Sequence, residues 1–226
     1  MAERARILAW SEAAPGAALG ESLEVLRAGG VVAHPTETVY GLAAAAEDER
    51  GQAELLRLKG RSPPRAFLLL FASRGDLEAR LGELPTGGDA LARAFWPGPL
   101  TLLFPARADL PTWWSGPDGD VAARVTPHPF AVGLVQELGG PVLSTSANPP
   151  GRATPATAAG VARAFAGCAL RLVVDGGPRS GSPSTLLRWT DRGWAVLRSG
   201  PVERSAIERV VPPAAAGAPS ARGFPT

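Results

Sequence analysis

The apolar positions of the chain fall into short runs separated by polar, Gly- and Pro-rich breaks. Leu23 and Leu26 suggest a short helix over Glu21 to Ala28, stopped by Gly29-Gly30, and Val31-Val32-Ala33 follows as a buried strand. Gln52 to Leu58 has helical spacing, with Leu55 and Leu58 on one face, Lys59 at its exit and Gly60 placed to end it. Ala66 to Phe71 is a continuous apolar run of strand length. Gly88 to Phe95 predicts a helix broken at Trp96-Pro97-Gly98-Pro99, after which Leu100 to Phe104 returns as a strand. Trp113-Trp114 fall in a Pro/Gly-rich loop. Val121 to Val125 predicts a strand and Pro129 to Leu138 a helix with Pro129 in its first turn. Pro141 to Thr145 is a strand whose end delivers Ser146 and Asn148. Ala156 to Phe165 predicts a helix and Leu170 to Val174 a strand. Ser184 to Trp189 and Trp194 to Arg198 form a hairpin across Asp191-Arg192-Gly193, and Glu203 to Val210 is a last helix.

Strands alternating with helices give an α/β fold, and the hairpin makes its sheet mixed rather than purely parallel. No internal repeat or linker stands out. One domain over residues 20–210 is expected, after a peripheral segment over 1–19 and before a disordered Pro/Ala/Gly-rich tail over 211–226.

Composition narrows the function classes. The 226 residues can bury a substantial core, and 45% hydrophobic with 19% charged residues fits a soluble globular protein. No apolar run approaches the roughly 18 to 20 residues of a membrane span, and the first residues lack the apolar core of a signal peptide. A single cysteine, Cys168, excludes an internal disulfide, no Cys/His cluster suggests zinc, and a reducing cytoplasm is the expected compartment. The net charge of +2 is too small for a dedicated duplex-DNA binder but allows a local arginine patch.

Three residue types survive once each, all in short polar segments. Lys59 is the only lysine among 23 basic residues, Tyr40 the only tyrosine and Asn148 the only asparagine. A compact ammonium and a guanidinium fork are not interchangeable at a phosphate, so a lone lysine in an arginine-biased chain points to chemistry. Lys59, Arg61 and Arg65 are spaced to surround one anion, against the alternative of a solvated basic face. Ser146 and Asn148 follow a strand directly, where open α/β sheets tend to hold ligands, although Asn-Pro-Pro-Gly is also good turn chemistry. Thr154 is a candidate helix N-cap before Pro155, and Ser184 and Thr185 are equally readable as polar residues at a strand start. Arg124, amid the apolar run Val121 to Val125, needs an anionic partner, either a ligand or a structural carboxylate. The chain lacks a Gly-x-x-x-x-Gly-Lys-Ser/Thr phosphate loop, a dinucleotide fingerprint and a Gly-x-Ser-x-Gly elbow. His34 and His128 lie beside prolines and form no nucleophile–base pair with Cys168. These residues suggest an anion or nucleotide site built from cations and hydroxyls.

At the same residues the chain resembles the Sua5/YrdC/YciO family of threonylcarbamoyl-adenylate synthases. Pro35-Thr36-Glu37-Thr38-Val39-Tyr40-Gly41-Leu42, Lys59-Gly60-Arg61, Trp96-Pro97-Gly98-Pro99-Leu100-Thr101, Arg124-Val125, Ser146-Ala147-Asn148 and Ser184-Thr185 occur in the family's order over about residues 20–202. The resemblance implies a twisted, open mixed sheet flanked by helices, with a basic concave cleft. It implies L-threonine, bicarbonate and ATP as substrates, with Mg²⁺ beside the ATP. The products would be threonylcarbamoyl-AMP and pyrophosphate, feeding the t6A modification of tRNA position 37. It also implies possible encounters with tRNA and the t6A transferase machinery, and no membrane.

By resemblance, Lys59 and Arg61 are the catalytic cations, and Lys59, Arg61, Arg65, Ser146, Asn148, Thr154 and Arg198 contact ATP. Thr38, Arg124, Ser144 and Ser184 match threonine-holding positions. The chain departs from the family at Leu70, where a threonine-contacting histidine is usual, and at Asp120, where a hydroxyl is usual and a carboxylate would sit near the phosphates. Two other readings are a paralogue using another acceptor and a non-catalytic RNA-binding module, double-stranded RNA included, using the same arginines.

Overall fold

The computed structural model describes residues 5–14, 16–60 and 66–212. Its strands are β1 (Arg6–Ala9), β2 (Val32–His34), β3 (Gly41–Ala45), β4 (Leu68–Phe71), β5 (Leu100–Pro105), β6 (Asp120–Val125), β7 (Val142–Ser146), β8 (Leu172–Asp175), β9 (Thr185–Thr190) and β10 (Gly193–Arg198). The helices are α1 (Gly16–Arg27), α2 (Glu49–Leu58), α3 (Arg74–Leu81), α4 (Gly88–Phe95), α5 (Pro129–Leu138), α6 (Ala158–Ala164) and α7 (Arg204–Val210). The strands form one mixed ten-stranded sheet in the order β1-β8-β2-β3-β7-β4-β6-β5-β9-β10. An α/β fold with a mixed sheet flanked by helices is therefore what the chain adopts.

Local chemistry sets the helix ends. Asp48 caps α2 by accepting from the Arg50 amide, and Lys59 closes it, followed by Gly60 at φ 52°, a left-handed conformation that favours glycine. Ser73 caps α3 and Thr157 caps α6 through their side-chain oxygens. Thr154, offered as that cap from the sequence, is not it. The real cap, Thr157, lies three residues later, and the helix begins at Ala158. Pro129 opens α5 and Gly139 ends it in the left-handed region at φ 73°.

Strand residues alternate faces, so the register sorts them. One face carries Leu42, Ala44, Leu69, Phe71 and Leu143, which pack with Leu55 of α2, Leu77 of α3, Leu91 of α4 and Val161 of α6. The other face carries Val32, Ala43, Leu70 and Val142, which pack under α1 and α5 through Leu23, Leu26, Phe130 and Leu134. His34, Gly41, Ser144, Ser146 and Arg124 share that second face. Beyond β4, among the described residues, it holds only the small apolar patch of Leu103, Ala122 and Leu186. Arg188 and Arg198 flank this patch through their pairing with Leu103 and Leu186. Arg124, Arg188 and Arg198 all lie on this part of the face.

Three elements differ from the sequence-based expectation. The segment expected to be peripheral contains β1, which pairs in parallel with β8 at the sheet edge, and α1 begins at Gly16 rather than Glu21. β3 was not predicted because Gly-Leu-Ala-Ala-Ala lacks the branched and aromatic side chains that mark strands. α3 was not predicted because Arg74–Leu81 offers only Leu77 and Leu81 to the core. Val211, placed in the expected tail, is buried and donates to the Ile207 carbonyl, while 213–226 lie outside the described residues.

Candidate functional site

Lys59 leaves the end of α2 and reaches β7. Its Nζ donates to the Ser146 carbonyl at 2.9 Å, the Asn148 carbonyl at 2.6 Å and Asn148 Oδ1 at 3.0 Å. Ser146 Oγ donates to the same Asn148 Oδ1, and the Asn148 amide donates to the Pro149 and Arg152 carbonyls. Lys59 is only 3% exposed. Buried cations need such a shell of acceptors. Thus three residues singled out in the sequence, Lys59, Ser146 and Asn148, form one cluster. The two cations expected beside them, Arg61 and Arg65, lie outside the described residues.

A second cluster surrounds Arg124. Its Nε stands 3.4 Å from Glu37 Oε1, close enough for an ion pair but not aligned as a hydrogen bond, and both atoms lack a hydrogen-bond partner. Glu37 comes from the β2–β3 loop and also accepts from Thr126 at 2.8 Å. Thr38, in the same loop, is paired with Thr36 Oγ1 at 2.9 Å. Arg198 donates to the Ser184 carbonyl at 3.0 and 3.1 Å, and Ser184 Oγ lies 2.8 Å from Thr101 Oγ1. Burial, and then the charge of Arg124, holds the Arg198 guanidinium below the usual arginine range, so the two cations face each other. Burial lowers Arg124 as well, opposed by Glu37. One carboxylate, that of Glu37 beside Arg124, against the two guanidiniums of Arg124 and Arg198 leaves net positive charge.

Two imidazoles complete this region. His34 Nδ1 lies 3.0 Å from the Pro35 carbonyl, which can only accept, so the ring hydrogen sits on Nδ1 and Nε2 is a bare acceptor. His128 Nε2 accepts from Arg179 at 2.9 Å, so its hydrogen sits on Nδ1. Burial first, then the charges of His128 and Arg124, lowers the His34 pKa to about 3. Burial and then Arg179 lower His128 to about 4. Among the described residues, six buried side-chain polar atoms lack a hydrogen-bond partner. Five of them belong to this cluster: His34 Nε2, Glu37 Oε1, Arg124 Nε, His128 Nδ1 and Arg179 Nε. Buried polar groups are normally satisfied, so such a concentration marks a place where a polar ligand or water completes the bonding.

The remaining candidates separate clearly. Thr154 is part-exposed and joined to none of the others by a hydrogen bond. Asp120 opens β6 four residues from Arg124, roughly 13 Å along the strand. Its Oδ2 lies 2.7 Å from Arg188, whose guanidinium also reaches Asp118 at 3.1 Å. The departure at Asp120 is thus neutralised by a neighbouring arginine. Leu70 is fully buried and pairs with Arg124 across the sheet. The sequence reading missed Glu37, His34, His128 and Arg179 as members of this cluster. Glu37 was visible inside the Pro35-to-Gly41 motif. The two histidines were dismissed for lack of a nucleophile, although a partnerless imidazole can serve as a fixed donor or acceptor.

The model of the Sua5/YciO/YrdC family, described as Telomere recombination, matches residues 24–200. The chain belongs to this family. The threonylcarbamoyl-AMP synthase of Pyrococcus abyssi is 37% identical over 187 residues, covering 82% of this chain and 55% of its own length. That of Alkalilimnicola ehrlichii is 42% identical over 178 residues, covering 77% of this chain and 91% of its own length. The chain therefore spans about half the length of the P. abyssi relative and most of that of the A. ehrlichii one. Among solved structures, P. abyssi Sua5 complexed with L-threonine superposes with a TM-score of 0.84 at 33% identity, over 92% of this chain and 61% of that one. E. coli YciO superposes with a TM-score of 0.79 at 22% identity, over 90% of this chain and 99% of that one, a likeness of fold.

Proposed function

We propose that the protein is a threonylcarbamoyl-AMP synthase that combines L-threonine, bicarbonate and ATP and releases pyrophosphate. The observation that carries this reading is the group of unpartnered buried atoms around Arg124 and Glu37, next to a sheet face bearing Arg188 and Arg198. Such a site suits a small zwitterion whose carboxylate faces guanidinium and whose ammonium faces carboxylate. The relatives named for this activity support it, and so does the threonine held by the Sua5 structure of similar fold.

In this reading Thr38, Arg124, Ser144 and Ser184 hold the amino acid. Lys59, Arg61, Arg65, Ser146, Asn148, Thr154 and Arg198 face ATP, with Lys59 and Arg61 nearest the reacting phosphate. Bicarbonate loses its hydroxyl to give carbon dioxide; the threonine amine adds to that carbon and loses a proton, which leaves with the hydroxyl as water, and the product is a carbamate. A carbamate oxygen then attacks the α-phosphorus, the bond to the β-phosphate oxygen breaks and pyrophosphate leaves. A carboxylate-like nucleophile needs little base assistance, so positioning and charge neutralisation carry the step. Among the described residues no group of three or more His, Cys, Asp or Glu is built to hold a metal ion. Mg²⁺ would accordingly arrive on the ATP phosphates.

The product would pass to the machinery that forms t6A on tRNA. A cytoplasmic location fits this role, and no helix among the described residues is long and apolar enough to cross a membrane. Leu70 beside Arg124 favours a second reading, a different amino-acid acceptor at the same site. Mass spectrometry of the nucleotide products with isotopically labelled bicarbonate and a panel of amino acids separates the two. Labelled threonylcarbamoyl-AMP supports the first, and a labelled adduct with another amino acid alone supports the second.

A further inference from the structure

Glu37 Oε1 and Arg124 Nε approach each other only to 3.4 Å, without the alignment of a hydrogen bond. Unhindered guanidinium–carboxylate pairs close to about 2.7 to 2.9 Å and often join through two parallel bonds. The other oxygen of the carboxylate accounts for the gap. Glu37 Oε2 accepts a 2.8 Å hydrogen bond from the Thr126 hydroxyl, 89 residues away in the chain. Among the described residues that is the one hydrogen bond the Glu37 side chain makes, since Oε1 has none.

Thr126 is itself held in place. It is fully buried just beyond β6, and its amide donates to the Phe71 carbonyl at 3.0 Å. Its hydroxyl oxygen accepts from the His128 amide at 3.1 Å, the short turn that a hydroxyl residue makes with the amide two places on. Pro127 between them has no amide to compete and confines Thr126 to extended backbone. A hydroxyl has a single hydrogen. With the His128 amide on a lone pair, the Thr126 hydrogen goes to Glu37.

We propose that Thr126 is a positioning residue: by anchoring Oε2 it keeps the Glu37 carboxylate from closing on Arg124, so that the guanidinium stays available to the carboxylate of the bound amino acid. Without the hydroxyl, Glu37 turns onto Arg124 as a bidentate pair and competes with the amino acid for the same donors. This role rests on the amino-acid site proposed above and adds a residue to it.

The test is steady-state pyrophosphate release with varied threonine, together with ATP affinity by calorimetry, for wild type, Thr126→Val, Thr126→Ala and Thr126→Ser. Valine keeps the shape of threonine and removes the hydroxyl. It should raise the threonine KM about fivefold to tenfold, with kcat and ATP affinity within about twofold of wild type. Serine keeps the hydroxyl and should hold KM within about twofold of wild type. A role in packing alone would give the opposite order, with valine near wild type and serine grouped with alanine, because both lack the methyl. Thr126→Ala should share the KM rise and carries the test if the valine variant does not fold. An unchanged threonine KM in a folded valine or alanine variant, an equal loss of ATP affinity, or a serine variant as impaired as alanine would overturn the role of Thr126. A wild-type protein without amino-acid-dependent release would instead overturn the underlying synthase reading.

Discussion

Lys59 and Arg124 are both buried cations of the candidate site, but their surroundings differ. The Lys59 ammonium meets three oxygens from Ser146 and Asn148. The Arg124 guanidinium approaches a single carboxylate at 3.4 Å and leaves Nε without a hydrogen bond. The first arrangement fixes a loop: the β7 exit is pinned to the end of α2, and the backbone there is shaped before any ligand arrives. The second is incomplete, and its incompleteness spreads to His34, Glu37, His128 and Arg179. A satisfied buried charge organises structure, whereas a cluster of unsatisfied ones waits for a partner.

The sharpest way to break this contrast is at Arg124. Arg124→Gln leaves Glu37 buried without its counter-charge and should cost about 3 to 5 kcal/mol of stability by urea unfolding. Adding Glu37→Gln should recover part of that loss without restoring activity, separating the structural ion pair from ligand recognition. If the double variant regained activity, the Arg124 cluster would not be the amino-acid site.

Acid should attack the same region next. Because the His34 pKa is held near 3 in the folded chain, below the ordinary value of 6.5, the unfolded chain binds the extra proton first. Stability is then complete above pH 6.5 and falls as pH drops towards 3. By pH 4 His34 alone should account for a loss of about 3 kcal/mol, checked by unfolding curves across that range. His34→Phe should flatten the slope.

Lys59→Met removes the ammonium that ties the Ser146–Asn148 loop. A cost of about 1.5 to 3 kcal/mol is expected from the lost charged hydrogen bonds, together with weaker ATP binding by calorimetry. Asp120→Asn should have the smallest effect, within about 1 kcal/mol, because Arg188 keeps Asp118 as a partner. Its threonine and ATP affinities should stay near wild type. A large affinity change there would extend the site to the far end of β6.

Much of the molecule was legible beforehand where side chains advertise their environment. Gly88 to Phe95 and Pro129 to Leu138 were read to the residue as α4 and α5, since amphipathic spacing coincided with Gly or Pro at their ends. The Lys59, Ser146 and Asn148 cluster was foreshadowed by the rarity of lysine and asparagine in this chain. β3 escaped because three alanines carry almost no pattern, and β1 because an exposed edge strand has no buried stripe to read. The pairing of Arg124 with Glu37 could not be read, because 87 residues separate them and only the β2–β3 loop folding over the face joins them.

Threonine-dependent pyrophosphate release tests the central claim most directly. Wild-type protein is supplied with ATP, Mg²⁺ and bicarbonate, with L-threonine present or omitted, and Arg124→Gln/Glu37→Gln is run beside it. The account predicts release that requires threonine in the wild type and is lost in the double variant. Release indifferent to threonine, or equal in the two proteins, would contradict it.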